Sequence, residues 1–272
     1  MINFNGTFST NSTNLISADN RAFKYGDALF ETIKVLNSKV CFLEGHYFRL
    51  MASMRMVRMN IPIEFTMEFF EAQILQTVKA NELENARVRF SVYRKDGGLY
   101  GPDSNEIDYL IEAVQLNVEK KTQYAVDLFK DYYVFSGLLS TIKTTNKMVN
   151  VLAAIYAKEN GFDNCILINE KKNVVEVLNG NIFLVFGTTI KTPAITEGCI
   201  KGVIRKKILE LLEKSKLYTV EETTISPFEV QKADEVFITN AIVGIQSVSG
   251  YKKTQFSSKV SNEIEQMLNN LI

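Results

Sequence analysis

Asn117-Val118-Glu119-Lys120-Lys121-Thr122 is the stretch on which the reading of the whole chain turns. It is short and charged, the apolar periodicity stops before it, and a new pattern starts after it. That is the mark of a linker between two folded parts. We place the linker at 118–123, a small N-terminal domain at 1–117 and a C-terminal domain at 124–272. A chain of 272 residues accommodates two domains of this size and can bury a core without disulfides or metals.

Working back from the linker, Tyr109 to Gln115 reads as a strand, and Val88, Phe90 and Val92 alternate with Arg87, Arg89 and Ser91 as in a half-buried one. Lys95 to Pro102 is a glycine-bearing loop. A helix is predicted after Pro62, with Phe69, Phe70, Ile74, Leu75 and Val78 inward. Another spans 45–59, with Tyr47, Leu50, Met51, Met54 and Val57 on one face. Phe30 to Leu36 is a strand, and Asn5-Gly6 between apolar residues is a hairpin turn. Working forward, a helix over 146–160 precedes a hairpin of Cys165–Ile168 and Val174–Val177. Ile182–Phe186 and Glu235–Thr239 are further strands. Gly202 opens a helix with Ile204, Ile208, Leu211 and Leu212 on one face, Ser226-Pro227-Phe228-Glu229 is a capping box, and 258–271 is an amphipathic closing helix. Strands and helices mix in both halves, so the fold class is α+β.

Composition narrows the function classes. Lys plus Arg and Asp plus Glu both number 31, a balance that points away from a nucleic-acid partner. A single histidine, His46, excludes a multi-histidine zinc site, and no metal site is expected. Cys41, Cys165 and Cys199 are isolated and odd in number, as reduced, buried thiols of a cytoplasmic protein are. The first residues carry no basic region followed by an apolar stretch, and no apolar run reaches 18 residues. Neither a signal peptide nor a membrane partner is expected.

Four places could carry chemistry. Lys143 lies in Leu138-Leu139-Ser140-Thr141-Ile142-Lys143-Thr144-Thr145-Asn146. It is either a solvated loop lysine or, held in partly apolar surroundings, a neutral amine able to form a Schiff base with a carbonyl cofactor. Glu176, within Val174-Val175-Glu176-Val177, either faces solvent or is buried and then needs a cationic partner. Lys201-Gly202-Val203-Ile204-Arg205 is a plain helix start or an anion site, because the first N–H groups and the macrodipole favour negative charge. Arg49, three residues after His46, shares its helix face and is a solvated arginine or a phosphate clamp. No P-loop or dinucleotide fingerprint occurs.

These segments stand in an order that resembles the fold-type IV pyridoxal-phosphate enzymes, which include branched-chain and D-amino-acid aminotransferases and 4-amino-4-deoxychorismate lyases. The matching stretches are Arg21 to Thr32, His46-Tyr47-Phe48-Arg49-Leu50, Ile142 to Asn146, Val175 to Phe183, Thr192-Pro193, Gly202 to Arg205, and Ala233 to Asn240. They run nearly end to end. The resemblance implies a small N-terminal α+β domain, a larger, β-rich C-terminal domain with helices, pyridoxal 5'-phosphate between them, and a homodimer whose partner helps close the site. It implies Lys143 as the cofactor-bearing and proton-moving residue, with Glu176 on the pyridine nitrogen. Arg49, Gly202 and the backbone N–H groups of Val203 and Ile204 would lie on the phosphate, Ile200 against the ring, and Asn240 and Ala241 beside the cofactor. His46 is expected to be structural.

The implied activity is transamination between a small amino acid, branched-chain ones among them, and a 2-oxo acid. The alternative is 4-amino-4-deoxychorismate lyase, releasing pyruvate and 4-aminobenzoate; a module that only carries the cofactor is the third reading. Thr239-Asn240-Ala241-Ile242 stands where aminotransferases usually carry a Ser/Thr-rich run, and Ala241 replaces a threonine that often touches the phosphate. The loop from Arg94 to Gly98 is similar to the lyase pattern, with Leu99 where an arginine is usual. Phe30, Arg94 and Asn240 are the substrate-side candidates.

Overall fold

The computed structural model describes residues 1–10 and 15–271. The chain forms two compact units, Met1–Val118 with Ile142–Asn146, and Glu119–Thr141 with Lys147–Ile272. A single cut at 118–123 assigns residues 142–146 to the C-terminal part. They group instead with the first unit, because their main chain pairs with one of its strands.

The first unit contains β1 (Ile2–Phe4), β2 (Thr7–Ser9), α1 (Arg21–Tyr25), β3 (Ala28–Leu36), β4 (Lys39–Val40), α2 (Leu43–Met56), α3 (Met67–Ala80), β5 (Ala86–Arg94) and β6 (Ile107–Gln115). Its sheet has the order β2-β1-β6-β5-β3-β4, antiparallel throughout. Alternation sends Leu29, Ile33, Val35, Val88, Phe90, Val92 and Ile111 to one face. There they pack in one cluster with Leu50, Met51 and Met54 of α2 and Phe70, Ile74 and Val78 of α3. The methionine stripe is core, as its spacing predicts. Two helix ends differ from the periodicity. Helix α2 stops at Met56 rather than Met59, because Arg58 turns into the left-handed region at φ 59°. Helix α3 starts at Met67, where Thr66 Oγ1 accepts the Phe69 N–H at 3.2 Å.

The second unit contains β7 (Ala125–Leu128), α4 (Met148–Glu159), β8 (Asn164–Ile168), β9 (Val174–Val177), β10 (Asn181–Phe186), β11 (Thr189–Pro193), α5 (Val203–Ser215), β12 (Thr219–Thr223), α6 (Pro227–Val230), β13 (Glu235–Asn240), β14 (Gly244–Val248), β15 (Gly250–Tyr251), β16 (Thr254–Gln255) and α7 (Lys259–Asn269). Two five-stranded sheets, β12-β11-β10-β13-β14 and β16-β15-β7-β8-β9, share a core. Ile166, Ile168, Val174 and Val177 meet Ile182, Leu184, Val236 and Ile238 there. Helix α4 covers the β8 side through Ala153 and Ala157 against Cys165 and Leu167. Strands β11 and β12 are parallel, and α5 is the crossover between them. This βαβ unit sets the N-terminus of α5 near the carboxyl end of β11, the end at which such units present ligand sites. All three cysteines are buried and unpaired, and burial pushes the thiols of Cys165 and Cys199 up to about 12. Among the described residues, no helix is long and apolar enough to cross a membrane, and no cluster of His, Cys, Asp and Glu could hold a metal ion.

Candidate active site

In the first unit, Lys143 is held by its main chain. Its carbonyl accepts the Phe30 N–H at 2.9 Å, the Thr145 N–H donates to the Ala28 carbonyl at 3.0 Å, and Leu29 and Thr144 form an antiparallel bridge. The loop thus adds a short strand to the edge of β3. The turn beside it is built to fit. Gly26 ends α1 at φ 65°, and a Cβ there would stand 2.3 Å from Asn146 Oδ1. Lys143 Nζ lies 4.4 Å from the centre of the Phe30 ring, and the Arg89 guanidinium carbon 3.8 Å from the same centre. Phe30 is buried, so this aromatic platform is fixed. Burial pushes Arg89 below its ordinary value, against the pull of the Glu112 charge. The alternation of β5 reads Arg89 as part of a polar face and does not single it out.

Glu31, the next residue along β3, points to the other face and meets α2. Arg49 Nε donates to Glu31 Oε1 at 2.7 Å, Arg49 Nη2 donates to Oε2, and His46 Nδ1 lies 2.7 Å from Oε2. Glu31 and His46 are fully buried. Burial by itself raises a carboxyl, but the Arg49 charge and the hydrogen bonds of His46 and Arg49 outweigh it and hold Glu31 at about 2. Burial pushes His46 below its usual value despite the Glu31 hydrogen bond. Arg49 is therefore not a solvated helix arginine: two of its three nitrogens grip Glu31. Sequence reasoning passed over Glu31, although the alternation that sends Leu29 and Ile33 inward sends Glu31 with them.

Arg94 differs from the substrate-side expectation. It is buried. Nε donates to Asp27 Oδ2 at 3.0 Å, Nη2 to the Val57 carbonyl at 2.7 Å, and Nη1 to the Arg58 carbonyl at 3.3 Å and to Asn105 Oδ1. All three nitrogens serve the unit's own structure. Arg21 reaches the same Asp27 oxygen at 3.0 Å and donates to the carbonyls of Gly97 and Leu99 at 2.8 and 2.6 Å. One carboxylate thus ties two arginines and the glycine loop together.

In the second unit, Glu176 is buried, as is every residue of β9. The solvent-facing alternative for Glu176 is excluded, because β9 is covered on both faces. The Ile200 N–H donates to Glu176 Oε2 at 3.0 Å, and Asn181 Nδ2 donates to the Ile200 carbonyl at 2.9 Å. These bonds fix the entry to α5. Gly202 is its N-cap and supplies no side-chain cap, so the first-turn N–H groups, those of Val203 and Ile204 among them, are not taken by a capping side chain. Lys147, at the N-cap of α4, is pushed down by burial and supported by the Glu176 charge. Asn181 pairs in register with Thr239, whose Oγ1 is buried with no hydrogen-bond partner among the described residues. Asn240 Oδ1 accepts the N–H groups of Ile242 and Val243 at 3.0 and 2.9 Å, so this oxygen closes the turn in which Ala241 sits. The structure joins Glu176, Ile200 and Gly202 directly, and Asn181 and Thr239 complete the group.

Comparison with known proteins gives the same family throughout. A protein of Methanocaldococcus jannaschii with the provisional name branched-chain-amino-acid aminotransferase is 28% identical over 98% of this chain and 93% of its own length. The aminodeoxychorismate lyase of Vibrio harveyi is 25% identical over 85% of each chain. Among solved structures, the branched-chain aminotransferase of Thermoproteus uzoniensis with norvaline has a TM-score of 0.90 at 20% identity, covering 99% of this chain and 93% of that one. That likeness is one of fold. Residues 28–251 match the family described as amino-transferase class IV, and this chain, an enzyme with the fold-type IV architecture, belongs to it.

Proposed function

We propose that this enzyme is a pyridoxal-phosphate-dependent aminotransferase that moves an amino group between small amino acids, branched-chain ones among them, and a 2-oxo acid. The observation that carries the proposal is the placement of Lys143, anchored by main-chain bonds to β3 with its amine against a buried aromatic ring.

The residues present fit the cofactor. A helix start without a capping side chain suits a phosphate, a buried carboxylate suits a protonated ring nitrogen, and the buried Thr239 hydroxyl, without a partner among the described residues, suits a polar ligand atom. The cofactor, when bound, supplies an electron-withdrawing ring that acidifies the substrate Cα–H. Lys143 would hold it covalently and move the proton at Cα. Glu176 would keep the ring nitrogen protonated. The Val203 and Ile204 N–H groups and Arg49 would bind the phosphate, with Ile200 and the turn of Asn240 and Ala241 beside them and Phe30 on the substrate side. The M. jannaschii relative supports the substrate class.

Lyase action on 4-amino-4-deoxychorismate is the second reading. It is favoured by the turn at Asn240-Ala241, which offers no hydroxyl at Ala241, and by the V. harveyi relative. We also propose a cytoplasmic homodimer. The buried, unpaired cysteines suit a reducing compartment, and the exposed Tyr132, Phe135, Leu138 and Leu139 suit a second copy of the chain. Sedimentation of the purified enzyme measures the assembly.

Borohydride reduction followed by peptide mapping tests the carrier residue. The label is expected on Lys143, and a label on Lys147 or any other lysine rejects the assignment. A panel of L- and D-amino acids without a 2-oxo acid tests the reaction. Conversion of the cofactor to its amine form supports transamination; no conversion, with pyruvate released from 4-amino-4-deoxychorismate, rejects it for the lyase.

A further inference from the structure

The deepest charged cluster of the first unit is Glu31, His46 and Arg49, and its internal logic goes beyond packing. Glu31 is ionised and can only accept, so His46 Nδ1 carries the proton that lies between them. Burial keeps the ring neutral, which leaves Nε2 a bare acceptor. That atom is buried with no partner among the described residues, a costly arrangement that an apolar side chain would avoid. The three groups together carry no net charge. Arg49 is thus prevented from acting as a loose cation. Two of its nitrogens lie against the two Glu31 oxygens, and this two-point contact fixes the plane of the guanidinium.

We propose that Glu31 is a positioning residue that sets the orientation in which Arg49 meets a phosphate group, and that His46 in turn holds Glu31. The inference rests on the reading of Arg49 as a phosphate ligand. A carboxylate beside the arginine weakens its net pull on an anion, so the pair favours geometry over charge. The gain is selectivity for a phosphorylated ligand, since the arginine donors are aimed before the ligand arrives.

The test is the preference of the full-length protein, stripped and then titrated, for pyridoxal 5'-phosphate over pyridoxal. A fault in folding moves both affinities, whereas a fault in the phosphate grip moves only the first. Arg49→Ala should lower the preference about 10- to 100-fold, the range of a lost charge-assisted hydrogen bond. Glu31→Gln should lower it by a similar factor, with pyridoxal affinity within about twofold of wild type. His46→Leu should lower it by a smaller factor, and His46→Asn should restore it, because the asparagine N–H can replace Nδ1–H. If Arg49→Ala lowers the preference and Glu31→Gln leaves it unchanged or raises it, the positioning role is overturned while the phosphate reading of Arg49 stands. If Arg49→Ala itself leaves it unchanged, both fall. If Glu31→Gln does not fold, the two His46 variants decide: equal preferences in Leu and Asn overturn the proposal.

Discussion

Gly202→Ala is a one-methyl change with a defined consequence. Gly202 sits at φ −62° and ψ 137°, a conformation any residue adopts, so the backbone does not require glycine. The side-chain space does. A Cβ there would stand 2.0 Å from Asn181 Oδ1 and 3.3 Å from Arg205 Cβ. Asn181 is buried, and its Nδ2 holds the Ile200 carbonyl at 2.9 Å, so it cannot move without giving up that bond. Displacing a buried amide from its partner costs about 1–3 kcal/mol. At roughly 2–4 °C per kcal/mol for a protein of this size, Tm should fall by about 2–12 °C. The same displacement shifts Ile200, whose N–H holds Glu176, so the variant should also bind pyridoxal phosphate more weakly. Asn181→Ala loses the hydrogen bond but opens the space. The double variant should therefore melt close to Asn181→Ala alone, rather than at the sum of the two losses. Thermal unfolding of the four proteins reads the cycle. Additive losses, or a Gly202→Ala protein as stable as wild type, would refute the claim that Asn181 forms a fixed wall at the helix entry.

Arg94→Met should destabilise the protein by about 3 kcal/mol in urea unfolding, because it removes Arg94 from a part-buried ion pair and leaves the Val57 and Arg58 carbonyls short of a donor; a change below about 1 kcal/mol would count against this structural role and return Arg94 to the substrate candidates. The acid limb of stability should have two steps. His46 is depressed in the fold, so the unfolded chain takes up its proton first and stability declines as pH falls below about 6.5, by at most about 1.4 kcal/mol per pH unit. Glu31 is held at about 2, so its contribution is complete above about pH 5 and disappears between there and pH 2. His46→Asn should flatten the upper step alone, and with one histidine in the chain an unchanged slope there would contradict the assignment.

Much of the fold is legible because it is local. Period-two alternation places β5, short apolar runs rich in β-branched residues place β3, β8, β9, β10 and β13, and the 3.6-residue period places α2 to α5, since each signal lies within one short segment. Strands β11 and β12 escape this reading. Lys191, Thr192 and Pro193 in one and Glu221 and Glu222 in the other carry little apolar signal, and their parallel pairing exists only because α5 brings them together. The site divides in the same way. Lys143, Arg49, Glu176 and the Gly202 turn are visible as residue types in particular surroundings, and their order along the chain points to a family.

What joins them is not local. Glu31 meets His46 and Arg49 across 15 and 18 residues, and Glu176 meets Ile200 across 24. Arg21 and Arg94 share an oxygen of Asp27, and a loop distant in sequence pairs with the edge of β3. The sequence by itself determined the elements with a clear apolar signal and the candidate groups, because propensity, periodicity and turn chemistry act over a few residues. Only the tertiary structure decided that Arg94 is a tie, that Arg49 is clamped and that Glu176 is buried. Those outcomes depend on sheet register and on how α2 and the entry to α5 pack, which are set by contacts among residues far apart in the chain.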